Sequence, residues 1–383
     1  MMAARHPEPD TTRTDAAVGD GYLRDEALLK VRNLEVRFRR SGRTIEAVAG
    51  ISIDVVSGET LGLVGESGCG KTTTGRAILR LLPAGNSRIS GSVEYGGEDL
   101  GSLSKARMRA VRRHLQMIFQ DPLSSFNPRR KVWDIVGEGL AIQGVSKKET
   151  AKRTEAVLSE VGMSRAMVEG RRPHEFSGGQ CQRIAIARVL ALEPDLIVCD
   201  EPVASLDVSV QAQVINLLQD IRETRNLALI FISHDLAVVR SVSDRVAVMY
   251  MGKIVEIGEA DLIYGRPAHP YTRTLLEAVP MPDVNVKLKP AAVGTEMPSP
   301  SRPPSGCRFR TRCPRAQEVC EAVEPLLRRM PQGQFAACHF PHDEPAPGAL
   351  GMRESGPGAV GEAPPIRPTD IRESANDRYR STA

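Results

Sequence analysis

The sequence predicts an α/β fold built on a buried parallel sheet, and three observations support this prediction. Apolar runs typical of buried strands alternate with helical patterns from residue 28 to about residue 260. One apolar run leads into a glycine-rich loop that opens a helix, and a second ends in two adjacent acids. The 383 residues are 41% apolar, so the chain has enough apolar material for a full core.

The glycine-rich loop follows the apolar run Leu61–Val64 and has the spacing of a phosphate-binding loop. Glycines at both ends allow backbone N–H groups to point at phosphate oxygens, and the helix N-terminus adds a favourable partial charge. We expect Lys71 to bridge the β- and γ-phosphate oxygens and Thr72 to bind magnesium. The alternative is a glycine-rich turn that matches by chance. The predicted nucleotide-binding residues of this loop are Gly65, Glu66, Ser67, Gly68, Cys69, Gly70, Lys71, Thr72 and Thr73.

The two adjacent acids end the apolar run Leu196–Cys199, which is typical of a buried parallel strand. Asp200 would hold the magnesium shell, either through water or through Thr72. Glu201 follows it and is suited to polarise an attacking water. Acids at a strand end can also be helix caps or surface charges, and the upstream loop favours the catalytic interpretation.

A second anion-binding segment lies between these two elements. It consists of Ser177, Gly178, Gly179 and Gln180 and precedes a helical run that extends to Leu192. A serine and a glycine at a helix N-terminus present donors and partial positive charge to an anion. One chain therefore carries two half-sites for a triphosphate.

The order of these elements resembles that of ATP-binding-cassette (ABC) ATPases. The loop, Gln120, the Ser-Gly-Gly-Gln segment, the Asp-Glu pair, Asp207 and His234 occur in the family's sequence order. The resemblance implies a P-loop NTPase domain with a helical subdomain, which uses ATP and Mg²⁺ and works as a dimer.

The same resemblance implies roles for single residues. Phe38 is similar to the aromatic that stacks on adenine, although it also suits a core position. Gln120 and His234 resemble the residues that touch the attacking water and the γ-phosphate, and a buried, satisfied histidine is the alternative for His234. Asp207 resembles the aspartate that crosses the dimer interface, and it equally suits a helix cap. The predicted catalytic residues are Glu201, His234 and Gln120, and the predicted Mg²⁺ ligands are Thr72, Gln120 and Asp200.

Composition divides the chain into segments and limits its environment. The net charge of +4 and the lack of a basic cluster with interleaved aromatics argue against nucleic acid as a partner. No apolar run is long enough to span a bilayer and no signal-peptide core is present, so we expect a cytosolic chain that meets a membrane only through partners.

The predicted segments are a disordered tail at 1–27, a nucleotide-binding domain at 28–260 with a helical subdomain at about 121–188, an extension at 261–342, and a disordered tail at 343–383. Within the domain, runs at 245–250 and 253–257 predict a hairpin.

Four of the seven cysteines occur in the extension, at Cys307, Cys313, Cys320 and Cys338. A disulfide framework is not expected in a cytosolic protein, so four thiolates that meet in space favour a metal centre. The spacing lacks the CxxC pairs of zinc ribbons, and Pro314 after Cys313 is similar to iron–sulfur sequences. A [4Fe-4S] cluster is the first interpretation, and zinc and reduced thiols are the alternatives.

The segment 306–314, the later cysteines and His269–Thr272 resemble the C-terminal extension of oligopeptide/dipeptide permease ATPases. Details of the phosphate loop resemble the second ATPase of the family's unlike pair. The resemblance implies a heterodimer with a second ABC ATPase subunit, two transmembrane permease subunits and a solute-binding protein. It also implies a peripheral position at the cytoplasmic face of the membrane and import of di- or oligopeptides.

Alternatives to peptide import are import of nickel chelates or glutathione, and a soluble ABC ATPase that acts on nucleic acid or the ribosome. The chain departs from the family pattern at Cys181, where an arginine is common. We expect this change to weaken the attraction of the second anion site for phosphate, with Arg183 and Arg188 nearby on the helix as remaining cations.

Overall fold

The computed structural model describes residues 22–40, 43–83, 85–278 and 297–345, which all belong to the first of two compact units, spanning residues 1–349. In these ranges the strands are β1 (Leu29–Arg40), β2 (Arg43–Val55), β3 (Thr60–Val64), β4 (Ser87–Tyr95), β5 (Glu98–Asp99), β6 (Leu115–Ile118), β7 (Leu196–Asp200), β8 (Ala228–Ile232), β9 (Arg245–Tyr250), β10 (Lys253–Glu259), β11 (Arg328–Arg329) and β12 (Phe335–Ala336).

The helices of the same ranges are α1 (Lys71–Ile78), α2 (Lys105–Val111), α3 (Pro122–Ser125), α4 (Val132–Ile142), α5 (Lys147–Glu160), α6 (Arg165–Val168), α7 (Gly178–Leu190), α8 (Val208–Arg225), α9 (Leu236–Val242), α10 (Ala260–Gly265), α11 (Pro270–Glu277) and α12 (Glu318–Ala322), with a 3-10 turn at Pro173–Glu175. No helix in the described part of the chain is both long enough and apolar enough to cross a membrane.

The larger sheet has the strand order β11-β12-β10-β9-β3-β8-β7-β6. Its centre, from β9 to β6, is parallel. Every residue of β3, β7 and β8 is buried, as expected for strands covered on both faces. The predicted α/β fold class is therefore confirmed. The predicted hairpin is β9 and β10, which pair antiparallel. Strand β10 continues two residues further than the apolar run, because Gly258 and Glu259 still pair with Val246 and Arg245 of β9.

The smaller sheet is antiparallel, with the order β2-β1-β4-β5. Alternate residues of β1 and β2 are buried in a core that they share with β3, α1 and the sheet centre. Two residues that precede β1 contact β2. The Tyr22 hydroxyl donates to the Ser52 carbonyl over 2.6 Å, and Arg24 pairs with Asp54 over 2.6 Å. These contacts involve the end of the predicted N-terminal tail, whereas residues 1–21 and 346–383 lie outside the described residues.

The helices α3 to α7 lie between β6 and β7 in the sequence, in the region predicted as a helical subdomain. Helix α7 is central to this group, because α3, α4 and α5 all pack on it. Its Ile184, Ile186 and Leu190 are fully buried in a core that continues to the parallel sheet. The apolar core is therefore continuous from α7 to the parallel sheet.

The extension shares this core and also has a small apolar cluster of its own, formed by Ala268, Met330 and Ala336. Phe309 and Tyr271 are 2% and 0% exposed and belong to the same apolar cluster as the sheet. In addition, β12 pairs with β10, with Glu256 opposite Ala336 and Ile257 opposite Phe335, so the extension continues the larger sheet. Residues 279–296, which connect α11 to this part, lie outside the described residues.

Candidate nucleotide-binding site

The predicted phosphate loop lies between β3 and α1, where two glycines are required by the backbone. Gly65 has φ +150°, and a Cβ on it would lie 2.1 Å from the Met249 carbonyl oxygen. Gly70 has φ +111°, and its Cβ would lie 2.3 Å from the Ala47 carbonyl oxygen. No side chain fits at either position, because both contacts are to backbone. Of the remaining predicted residues, Ser67 and Gly68 are exposed, Glu66, Thr72 and Thr73 are partly buried, and Cys69 is buried.

Lys71 and Thr72 open α1 and have fixed partners. The Lys71 ammonium is 5% exposed and donates to the carbonyls of Gly65 over 2.7 Å and Glu66 over 3.0 Å. The Thr72 hydroxyl donates to Asp200 Oδ1 over 2.7 Å, which joins α1 to the end of β7. Burial raises the pKa of Asp200 above its usual value, and the Thr72 bond opposes that shift.

The residues expected to bind magnesium fit that ion. Asp200 is 0% exposed, and its Oδ2 is a buried oxygen with no hydrogen-bond partner in the structure. A buried carboxylate oxygen without a donor is unfavourable unless water or a cation meets it. Carboxylate and hydroxyl oxygens are also the ligands that Mg²⁺ prefers. The third predicted ligand, Gln120, is exposed after β6, and its amide nitrogen is bonded to Glu201.

The three predicted catalytic residues follow the ends of neighbouring parallel strands and meet at one edge of the sheet. Gln120 follows β6, Glu201 follows β7 and His234 follows β8. Gln120 Nε2 donates to Glu201 Oε2 over 3.0 Å, and His234 Nδ1 lies 3.3 Å from Glu201 Oε1. The Glu201 backbone has φ +48°, which is unfavourable for a residue with a Cβ. A hydrogen bond from Glu201 N to the Ile232 carbonyl over 2.9 Å holds this conformation. His234 is 59% exposed, so it is not a buried structural histidine.

The predicted second anion segment begins α7. Ser177 caps this helix: its Oγ accepts a bond from Gln180 N over 3.4 Å, and Gln180 Oε1 accepts one from Ser177 N over 3.1 Å. Ser177 and Gly178 are exposed, while Gly179 lies against α8, where a Cβ would meet Val210 Cγ1 at 2.5 Å. Among the described residues, no hydrogen bond or ion pair joins this segment to the phosphate loop, so the two half-sites are separate within one chain.

The side chains of Phe38 and Asp207 are both at least partly exposed, so each could contact a ligand or a partner. Phe38 lies on β1, partly buried, and packs against the shared core from its edge. Asp207 occupies the N-cap position of α8, yet its side chain makes no capping bond and is exposed. The cap interpretation of the Asp207 side chain is therefore not supported.

Cys181, where the chain departs from the family pattern, is a buried residue. Its thiol is 0% exposed and lies 3.5 Å from the Pro173 carbonyl, so it is a packing residue inside the helical region. The two cations nearby on the helix, Arg183 and Arg188, have hydrogen-bond partners outside the anion segment. Arg183 donates to the Val161 carbonyl over 2.8 Å, and Arg188 donates to Ser125 O over 3.0 Å. Neither guanidinium is directed to the anion segment, because each bonds another helix or loop.

Two residues at the phosphate loop were not predicted from the sequence. The Arg312 guanidinium bonds both oxygens of Glu66, over 2.8 and 2.9 Å, and the Tyr271 hydroxyl accepts a bond from Glu66 N over 2.9 Å. Both residues lie in segments that carried the permease resemblance. No local sequence pattern could have predicted that Arg312 contacts the loop, because it is 246 positions away from Glu66.

The four cysteines of the extension are neighbours without being arranged as ligands. Burial raises the pKa of Cys338 to about 12, and the thiols of Cys313, Cys307 and Cys320 add to this shift. Cys307 N also donates to the Cys320 carbonyl over 2.8 Å. Within the described ranges, however, no group of three or more His, Cys, Asp or Glu side chains has a geometry that could hold a metal ion. The geometry thus gives no support to the predicted [4Fe-4S] cluster.

The chain is similar to known proteins over most of its length. Residues 48–204 match the ABC transporter family model, and residues 255–320 match the model of the oligopeptide/dipeptide transporter C-terminal region. The oligopeptide transport ATP-binding protein OppF of Escherichia coli is 48% identical over 315 residues, which cover 79% of this chain and 93% of OppF. A Brucella ovis protein named for peptide import and ATP binding is 47% identical over 317 residues, 82% of this chain and 98% of that protein.

Among solved structures, cbiO1 from Clostridium perfringens, part of an ABC transporter complex, matches with a TM-score of 0.55 and 26% identity over 63% of this chain and 91% of that one. Fold and site together define an ATP-binding cassette, an ATPase of the ABC class. Within that class, the chain belongs to the family of oligopeptide/dipeptide transporter ATP-binding proteins. The predicted family is confirmed.

Proposed function

We propose that this protein is the ATP-hydrolysing subunit of a membrane ABC importer that takes up di- or oligopeptides. The observation that carries the proposal is the pairing of two features in one chain. One is the cassette with Lys71, Asp200 and Glu201 gathered at its strand ends. The other is the match of the extension to a peptide-transporter C-terminal region.

The proposed mechanism is ATP-driven closure of a dimer. Lys71 and Thr72 of one protomer hold a nucleotide, and Ser177 and Gly179 of its partner reach the terminal phosphate. The separation of the two half-sites within one chain and the exposure of Ser177 support this arrangement. Because the γ-phosphate bridges both protomers, its loss removes the contacts that favour closure. The proposed partner is a second ABC ATPase subunit, which would make a heterodimer, with Asp207 at the interface.

In the hydrolytic step, Glu201 would orient and polarise the attacking water while Gln120 fixes its carboxylate. His234 would stabilise the transferred charge together with Lys71. Mg²⁺, held by Thr72 and Asp200, would neutralise charge on the phosphates. Phe38 would stack on adenine, and the weak selectivity of stacking predicts limited discrimination between purine nucleotides.

The proposed membrane contact lies beside the loop that follows Gln120. Leu123 in α3 is 46% exposed, so its apolar side chain is accessible to a docked partner. Arg188 ties this loop to α7 through Ser125 and stacks over the Phe126 ring at 5.0 Å. Movement of a docked permease helix would therefore reach the anion segment through α7. Two permease subunits, a solute-binding protein and a peripheral location at the cytoplasmic face complete the proposed complex.

Transport tests the proposal directly. A strain that lacks this gene is expected to lose uptake of labelled di- and oligopeptides and to regain it with the wild-type gene but not with Lys71→Ala. Unchanged peptide uptake in the deletion strain would contradict peptide as the cargo. Uptake of labelled glutathione and of nickel chelate in the same strain distinguishes the alternative cargoes, and retention of every uptake activity would favour a non-transport ATPase.

For the four cysteines, the proposed [4Fe-4S] cluster rests on the sequence alone, that is, on four cysteines in one short segment and Pro314 after Cys313. No step of ATP hydrolysis depends on it. Protein purified without oxygen is expected to be brown and to contain stoichiometric iron and sulfide. Bound zinc without iron would replace the cluster with a zinc site. A colourless protein free of both metals would leave the cysteines as reduced packing residues.

A further inference from the structure

Among the described residues, the extension is bonded to the phosphate loop at a single residue, Glu66. Arg312 Nη1 donates to Glu66 Oε2 over 2.8 Å, and Nη2 donates to Oε1 over 2.9 Å. The Glu66 N–H donates to the Tyr271 hydroxyl over 2.9 Å. Residues of the extension therefore hold both carboxylate oxygens and the backbone nitrogen of one loop residue.

This ion pair is shielded on its arginine side. The Arg312 side chain is 5% exposed and that of Glu66 is 25% exposed. The ring centroids of Tyr250 and Phe309 lie 5.8 and 5.9 Å from the guanidinium carbon. The bond to Glu66 raises the pKa of Arg312 above its usual range. A bidentate pair in such a setting is more directional than a surface pair, and removal of one partner leaves an uncompensated charge.

The ion pair compensates the charge of a carboxylate in the phosphate loop. An unpaired carboxylate in a loop that binds phosphates repels its ligand, and the repulsion is stronger where solvent is excluded. Arg312 occupies both Glu66 oxygens and cancels that charge. The Glu66 carbonyl, in turn, accepts a bond from the Lys71 ammonium over 3.0 Å. The extension is thus connected through one residue to the lysine expected to meet the terminal phosphates.

We infer that Arg312 is a positioning residue for nucleotide binding: it cancels the charge of Glu66 and, with Tyr271, fixes the phosphate loop from the extension. The inference rests on the proposed function, since it assumes that the loop binds MgATP. Coupling between two sites is reciprocal, so MgATP at the loop also stabilises the docked extension.

A double-mutant cycle on the full chain separates charge compensation from a merely structural role. The dissociation constant of MgATP is measured by calorimetry, and kcat and KM are measured for hydrolysis. Arg312→Ala is expected to raise the dissociation constant about tenfold, and KM with it, while kcat changes less than twofold. In the Glu66→Gln background, the same Arg312→Ala change is expected to raise the dissociation constant of MgATP less than threefold, because no carboxylate is left to repel the phosphates.

Arg310→Ala is the matched control, since Arg310 lies in the same segment and pairs with Glu321 over 3.0 Å instead of the loop. It is expected to bind MgATP like the wild type. If Arg312→Ala does not fold, Arg312→Lys replaces it, with an expected loss of about threefold, because an ammonium group lacks the bidentate geometry.

Two results would overturn the inference alone: normal MgATP affinity in the Arg312 variants, or an equal loss in both Glu66 backgrounds. Failure of the wild type to bind MgATP would overturn the proposed function along with it.

Discussion

The Gln120 side-chain amide donates a hydrogen bond to Glu201 over 3.0 Å, across the ends of the neighbouring strands β6 and β7. Because His234 lies 3.3 Å from the other carboxylate oxygen, Glu201 has a neighbour on each side. The left-handed backbone of Glu201, with φ +48°, directs its side chain into this position. Strain of this kind persists where surrounding structure determines it, and it is common at catalytic positions.

Glu201→Gln is expected to bind MgATP and to trap a closed dimer while hydrolysis falls about 100-fold or more, because an amide cannot accept a proton from water. Steady-state hydrolysis, nucleotide binding and gel filtration with ATP measure these effects. Glu223→Gln, at a 72% exposed position on α8, is the control. Hydrolysis at the wild-type rate in Glu201→Gln would assign water activation to another group.

Asp200→Asn is expected to raise the magnesium concentration needed for half-maximal hydrolysis about tenfold, because the buried carboxylate loses its charge while its bond to Thr72 can persist. Magnesium titration at fixed ATP measures the shift. Asp220→Asn, at an exposed position on α8, is expected to leave the titration unchanged. If both variants titrate alike, Asp200 has no part in holding the ion.

Glu256 lies where the extension meets β10, and its two oxygens accept bonds from Ala268 N and His269 N over 2.7 and 2.9 Å. Burial raises the pKa of Glu256 to about 7, against an ordinary value of 4.5. Burial also lowers the pKa of the adjacent His269 to about 3, so this imidazole stays neutral across that interval. The folded state therefore binds the Glu256 proton more tightly than the unfolded state does, and stability from this group falls as pH rises from about 4.5 to about 7.

Glu256→Gln removes this titration. The free energy of unfolding of the variant, relative to the wild type, is expected to improve by about 2 kcal/mol between pH 5 and pH 8. Denaturant unfolding at both pH values measures the change. Glu259→Gln, at an exposed position of the same strand, supplies the control. A constant difference between Glu256→Gln and wild type at both pH values would refute the raised pKa.

Phe309 anchors the extension to the cassette. It is 2% exposed, and its ring centroid lies 5.3 Å from those of Tyr250 and Tyr271. Phe309→Ala is expected to lower the free energy of unfolding by about 3–5 kcal/mol, because it opens a cavity in a shared core. Val319→Ala, at a 38% exposed position of α12, is expected to cost less than about 1 kcal/mol. Similar losses from both changes would show that Phe309 is not an anchor.

Much of the cassette was accessible from the sequence. Strands such as β3 and β7 are continuous apolar runs with a distinct end, so the positions of Lys71 and Asp200 follow from local pattern. The hairpin of β9 and β10 was predicted for the same reason. The sequence did not reveal that β12 extends the larger sheet, because a two-residue strand has too few side chains to show a period.

The residues of the site were likewise predictable only in part from the sequence. The place of Glu201 after a buried strand indicated its role, whereas Gln120 and His234 were indicated by the resemblance to ABC ATPases. The partners of Arg183 and Arg188, which are the Val161 and Ser125 carbonyls, could not be predicted from the sequence, because helical spacing does not indicate which neighbouring segment a long side chain contacts.

By itself, the amino-acid sequence determined the local chemistry: the glycines that a tight loop requires, the acids after buried strands and the capped start of α7. These features depend on backbone preferences and on residues a few positions apart. Only the tertiary structure decided that Arg312 neutralises Glu66 and that Phe309 joins the core of the cassette. Such contacts arise from the packing of the whole chain, where many weak interactions between distant segments are satisfied together, and no local pattern encodes them.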